Sequence, residues 1–203
     1  MKRLLLILFF FFVFFLAKQT CANSDTLLGI TGRDSLLISF DPYTGTITEV
    51  HAQLNPNELY RGLAYDSNHN VLYALSQVDL NLYSIDPFTL EVQHIGNLHT
   101  SCGALDIGGL TYNPSNDGFY ATLQDVNGDS SELLMVNVDN AEVTGLGIVT
   151  DSYCFSPSYS EDDGNIYAFS LYAGEDKTSV VSINPDDGGG PQNLDNVLRC
   201  KSL

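Results

Sequence analysis

One stretch of this chain repeats, without a gap, every 47 residues. Gly62-Leu-Ala-Tyr65 with Val71-Leu-Tyr73-Ala74 returns as Gly109-Leu-Thr-Tyr112 with Gly118-Phe-Tyr120-Ala121, and again as Ser156-Pro-Ser-Tyr159 with Asn165-Ile-Tyr167-Ala168. A second block keeps a similar interval: Leu36-Leu-Ile-Ser-Phe-Asp41-Pro42 matches Asn81-Leu-Tyr-Ser-Ile-Asp86-Pro87 at an offset of 45, with Val136-Asn137 and Ile183-Asn184-Pro185 as weaker copies. Two blocks in register over such a period mark a stacked or radial repeat, in which one small unit buries its faces only against its neighbours.

Within each unit the pattern implies four short strands. In the second they are expected at about Arg61–Tyr65, Val71–Ser76, Leu82–Ile85 and Val92–Leu98, with Asp66-Ser-Asn-His-Asn70 as a hairpin connection. Asp86-Pro87-Phe88-Thr89 has β-turn chemistry: Pro presets φ at the second position, and Asp at the first accepts from the backbone. No convincing helical period runs through the chain after its leader. Val71-Leu-Tyr-Ala-Leu75 and Leu82-Tyr-Ser-Ile85 are apolar or small on both faces, so both faces need cover. Sheets packed face to face around an axis supply it.

The units resemble blades of β-propellers of the YVTN/quinoprotein-dehydrogenase-like kind, whose strands often end in an Ile-Asp-Pro-x-Thr-Gly turn. Phe40-Asp41-Pro42-Tyr43-Thr44-Gly45 and Ile85-Asp86-Pro87-Phe88-Thr89-Leu90 carry that likeness. The resemblance implies an all-β fold, an incomplete or four-bladed propeller of four-stranded antiparallel blades. It implies no particular reaction, because the fold hosts many.

Counting strands gives a partial first blade at about 27–51, with only the last three strands, and whole blades at about 59–98, 107–149 and 156–196 of a repeat domain spanning 23–203. Residues 194–203 either latch a four-bladed ring or leave it open. The open or incomplete ring is the preferred reading, and its exposed edges imply self-association or a protein partner.

The first 22 residues follow a different logic. Met1-Lys2-Arg3 precedes an unbroken apolar run from Leu4 to Ala17, shorter than the roughly 20 residues a membrane span needs. It reads as a signal peptide cleaved before Asn23, which places the mature protein outside the cytoplasm, secreted or periplasmic. The alternative is a lipoprotein acylated at Cys21, although Lys18-Gln19-Thr20 is a poor approach to such a cysteine. Removing the leader leaves 5 basic against 25 acidic residues, a net charge of −20. That charge disfavours nucleic acid and anionic lipid and makes cations the natural counter-species.

Candidate sites gather in the connectors that lead from one blade to the next. Cys102, Cys154 and Cys200 all lie there, in an oxidising compartment where a disulfide can persist. Cys102 with Cys154 and Cys154 with Cys200 are both open pairings. So is the alternative of small semi-buried thiols held too far apart to bridge. His99, Asp106, Asp151 and Tyr153 share this rim, and a Cys102–His99 nucleophile pair ranks below the structural reading because no third group orients it. His51, His69 and His94 read as solvated polar positions.

The sharpest chemical motif is Asp125-Val-Asn127-Gly128-Asp129-Ser-Ser-Glu132. Alternate oxygen donors around a glycine turn suit Ca²⁺, and the stretch resembles the start of calcium loops in integrin-type propellers and dockerins. It departs at the ninth position, where Leu133 stands, so Glu132 would serve out of step; the competing reading is a longer hairpin of turn-forming residues. Ser160–Tyr167 fits an Asp-box only superficially and reads as a turn.

These observations leave two function classes. The preferred one is an exported, non-catalytic propeller module that binds a protein or ligand at its rim or open edge. The other, by analogy of fold alone, is a calcium-assisted, lactonase-like hydrolase.

Overall fold

The computed structural model describes residues 27–31, 34–78, 80–99, 104–125, 130–150, 153–171, 178–186, 188 and 192–193. Among them there is no helix, and every regular element is a strand. The strands form four antiparallel sheets. The first is β1 (Leu27–Ile30), β2 (Leu36–Phe40) and β3 (Ile47–Gln53); the second is β4 (Tyr60–Asp66), β5 (Val71–Ser76), β6 (Asn81–Ile85) and β7 (Val92–Asn97). The third is β8 (Ala104–Asn113), β9 (Gly118–Asp125), β10 (Ser131–Val136) and β11 (Val143–Thr150); the fourth is β12 (Tyr153–Tyr159), β13 (Ile166–Leu171), β14 (Thr178–Ile183) and β15 (Gln192–Asn193).

The sequence repeat is a repeat of register. Leu72 pairs with Ile85, Phe119 with Val136 and Ile166 with Ile183, while Leu27 pairs with Phe40 at the same point of the first sheet. By this register β1 corresponds to β5, so among the described residues the first sheet has no counterpart of the strands β4, β8 and β12. Those strands line up side by side: β4 packs against β8 and β8 against β12, with β1 beside β4.

Turn geometry explains why the copies tolerate different residues. In seven hairpins the first loop residue is Asp, Asn or Ser, and the residue four later has a positive φ: Gly45, Asn70, Leu90, Asp117, Ala141, Gly164 and Gly188, at 57 to 75°. In most of them that later residue donates its amide to the carbonyl of the first, as from Asn70 to Asp66 at 2.8 Å and from Leu90 to Asp86 at 2.9 Å. The side chain of the first residue caps the turn from inside. Asp41 Oδ1 accepts from the amides of Tyr43 and Thr44, and Asp86 Oδ1 from those of Phe88 and Thr89. These amide bonds stabilise the ionised form and hold the Asp41 and Asp86 carboxyls below their usual pKa. The caps set the backbone, so a non-glycine such as Leu90 accepts the left-handed conformation there.

The core lies between the sheets, in three layers. Leu72, Ala74, Tyr83 and Ile85 of the second sheet meet Leu37 and Ile30 of the first. On the opposite face of the second sheet, Leu75, Leu82 and Tyr73 meet Phe119, Ala121, Leu134 and Val136 of the third. Tyr120, Leu133 and Val149 of the third then meet Cys154, Ile166, Ala168, Val181 and Ile183 of the fourth. Alternation along each strand sends successive side chains to opposite layers, which is why these strands carry no polar face. Each fully buried leucine contributes about 1.5–3 kcal/mol by leaving water.

Candidate functional site

The hairpin joining β4 to β5 and the hairpin joining β8 to β9 stand at the same end of adjacent sheets. Asp66 opens the first of them, and its side chain is almost wholly buried. Its Oδ1 accepts the amides of Asn68 and His69 at 2.9 and 3.0 Å, while its Oδ2 faces His69 Nδ1 at 2.8 Å. An ionised carboxylate only accepts, so Nδ1 carries the shared proton. From the neighbouring sheet, Asp117 brings Oδ1 to 3.7 Å from the same nitrogen. Tyr112 donates its hydroxyl to Asp117 Oδ1 at 2.5 Å. Asn68 crosses the gap in the other direction and donates to the carbonyl of Pro114 at 3.3 Å.

Charge at this junction is finely balanced. Burial pushes the Asp66 carboxyl up, but hydrogen bonds from His69, Tyr112 and Asn68 outweigh it and leave the group more acidic than usual. The bond to Asp66, with the charges of Asp66, Asp117 and Asp139, raises His69 above its ordinary value. Burial, and then bonding to Asp117 and Asp66, pushes the Tyr112 hydroxyl up, so it stays a donor across the working pH range.

The cluster lines a cavity of about 700 Å³, together with Tyr73, Phe119, Val136 and, from the hairpin joining β10 to β11, Asp139 and Glu142. No lysine or arginine is among the residues that line it. One ligand atom each from Asp66, His69 and Asp117 lies within 4.8 Å of the other two, so these residues could hold a metal ion. The arrangement is a negatively charged recess with one protonatable imidazole at its mouth.

No family model matches the chain, and no curated protein does. Solved structures do. The chain is similar to a structure from a nidogen/laminin complex, with 16% identity, a TM-score of 0.60, and coverage of 85% of this chain and 62% of that one. It is also similar to a protein of unknown function from Bacteroides thetaiotaomicron (17%, TM-score 0.58, covering 80% and 39%) and to glutaminyl cyclase from Myxococcus xanthus (20%, 0.56, 81% and 64%). The neighbours are β-propeller proteins. This chain is a partial β-propeller. It spans between 39% and 64% of the length of those three, and identities this low speak for the fold alone.

Each sheet is thus a blade, and the cavity sits between the second and third blades at the hairpin rim. The opposite rim, where blade connectors run, holds the residues singled out from sequence. There Tyr153 donates to the Ile107 carbonyl at 2.9 Å, and burial, with the nearby Asp106 carboxylate, pushes its hydroxyl up to about 12. His99 is exposed. Cys154 is buried in the layer between the third and fourth blades, and its amide donates to Ser131 Oγ at 2.8 Å. Cys102, Cys200, Asp151 and the leader with Cys21 lie outside the described residues, so both disulfide pairings stay proposals.

Of the calcium motif, Glu132 is described, on β10 opposite Leu123. Asn127, Asp129 and the side chain of Asp125 lie outside the described residues. His51 and His94 sit in ordinary polar surroundings: His51 bonds to Ser39 Oγ, and His94 to Asn81 Oδ1 at 3.2 Å. His69 does not, and sequence reasoning missed it. The available signal was the repeat itself, because the 47-residue offset puts Asp117 at the position of Asn70, one residue beyond His69.

Proposed function

We propose that this chain is an exported, non-catalytic binding module whose recess between the second and third blades receives a positively charged group of a protein or small ligand. The observation that carries this reading is the gathering of Asp66, Asp117, Asp139 and Glu142 around one cavity lined by no cationic side chain except protonated His69. Asp66 is held ionised by its hydrogen bonds, which suits it to accept a cation rather than to donate a proton. Supporting the binding reading, a fold neighbour comes from a complex of nidogen with laminin, although others, such as glutaminyl cyclase, are enzymes. Export rests on the apolar leader. Among the described residues no helix is long and apolar enough to cross a membrane.

A second reading, a divalent metal ion at the same place, is favoured by the convergence of Asp66, His69 and Asp117 within 4.8 Å. Calorimetry separates the two. The full chain is titrated with an arginine-rich tetrapeptide, with a tetraglutamate peptide as control, and separately with Zn²⁺ and Ca²⁺. The basic-group reading expects peptide binding that Asp117→Asn weakens about tenfold and that His69→Gln strengthens below the raised His69 pKa. Metal binding lost in both variants, without peptide binding, replaces it with the second reading, and heat from neither probe overturns both. Because protonated His69 competes with a cationic guest, affinity should rise as pH climbs through the raised His69 pKa.

A further inference from the structure

We infer that the two end faces of the blade stack, one on the first blade and one on the fourth, dock onto each other between two copies of this chain. Three blade interfaces within the chain show the rule. A back face carrying Tyr73, Leu75 and Leu82, or Tyr120 and Leu133, packs against a front face carrying Phe119, Ala121 and Val136, or Ile166, Ala168 and Ile183. Among the described residues two such faces have no neighbour, one of each kind.

The front of the first blade holds Leu27, Gly29, Ile38, Phe40, Ile47 and Val50, as the pairings of Leu27 with Phe40, Gly29 with Ile38 and Ile38 with Val50 require. Leu27 is 50% exposed, whereas Leu72, Phe119 and Ile166 at the same repeat position are 2, 2 and 0% exposed. Gly29 occupies the small slot filled elsewhere by Ala74, Ala121 and Ala168. The back of the fourth blade holds Tyr167, Phe169, Leu171 and Val180, with Phe155 paired to Phe169. Phe169 is 40% exposed, against 0% for its counterparts Leu75 and Thr122. Tyr153, Phe155 and Phe169 form a ladder of stacked rings with centroids 5.6 and 5.7 Å apart.

The occupant follows from the repeat. A front face of this pattern is what a back face of that pattern covers three times within the chain, and a second copy presents it in the same register. The contact joins unlike faces, so it is heterologous. It generates a ring where the rotation closes and a filament where it does not. The inference is independent of the acidic recess, which lies at a rim and not on an end face.

The test is sedimentation of the full chain at high micromolar concentration, alone and as two variants, Val50→Lys on the front face and Phe169→Lys on the back. The wild type should self-associate, and each variant should lose association at least about tenfold. Mixed together, the variants should form a capped one-to-one pair, because each keeps the intact face the other lacks. Phe88→Lys, in the exposed turn joining β6 to β7, should associate as the wild type does and controls for added charge. Circular dichroism confirms that each variant keeps its strands. A wild type that sediments as a monomer overturns the inference. So does association that survives both lysines, and so does a mixture that fails to pair.

Discussion

The β4–β5 and β12–β13 hairpins are copies of one turn and do different things. In both, a polar residue opens the loop, and the residue four later takes a positive φ, 58° at Asn70 and 75° at Gly164. That residue returns its amide to the opening carbonyl at 2.8 and 3.0 Å. Asp66 and His69 of the first copy face Asp117 of the next blade, but among the described residues Ser160 and Asp163 of the other copy meet no partner on another blade. Asp163 instead accepts from Tyr167 within its own hairpin at 2.5 Å. The backbone template is common property; the charged site arises where Asp66 and His69 of one copy meet Asp117 of the next.

The largest effect should come from breaking the shared framework. Leu82→Ala opens a cavity in the layer that presses the second blade on the third, and should cost about 2–5 kcal/mol in urea unfolding. A loss below about 1 kcal/mol would mean that this layer does not hold the two hairpins together. Next, Asp66→Ala removes a buried cap and leaves the Asn68 and His69 amides and the His69 ring short of an acceptor, for a loss of about 1–3 kcal/mol. Ser160→Ala at the matching position should stay within about 0.5 kcal/mol. Equal losses at the two sites would erase the contrast between the hairpins.

The smallest effects, and the sharpest, are in pH. The raised pKa of His69 means that its pairing with Asp66 stabilises the fold fully below the ordinary value of 6.5, and the contribution fades as pH rises through the raised value. Asp163 runs the other way. The hydrogen bond from Tyr167, with the Asn165 amide, lowers its pKa to about 2, so its contribution is present above the ordinary 3.8 and is lost as pH falls through about 2. NMR titration of both hairpins checks the signs. His69→Gln should abolish the first dependence without touching the second, and Tyr167→Phe should move Asp163 back toward 3.8.

Much of the architecture was legible in the sequence because a gapless repeat constrains both pattern and register. Tyr65, Tyr112 and Tyr159 fall at equivalent points of their strands, and Tyr65 and Tyr112 each donate a hydroxyl to the residue five positions on. Even so, Tyr65 is 48% exposed and Tyr112 only 8%. That difference depends on the neighbouring sheet and could not be read from either copy alone. The site was legible only in its parts. Asp66, His69 and Asp117 look like turn residues one at a time, and the acidic loop at 125–132 drew attention because its ligand spacing is local.

The amino-acid order alone determined the strand class, the turn positions and the fact that each sheet must be covered on both sides, since these follow from short-range periodicity and turn chemistry. Tertiary structure alone decided which carboxylates meet and which apolar side chains, such as Leu27 and Phe169, stay exposed. Both depend on distances between residues tens of positions apart, and those distances are set by how one blade is stacked on the next.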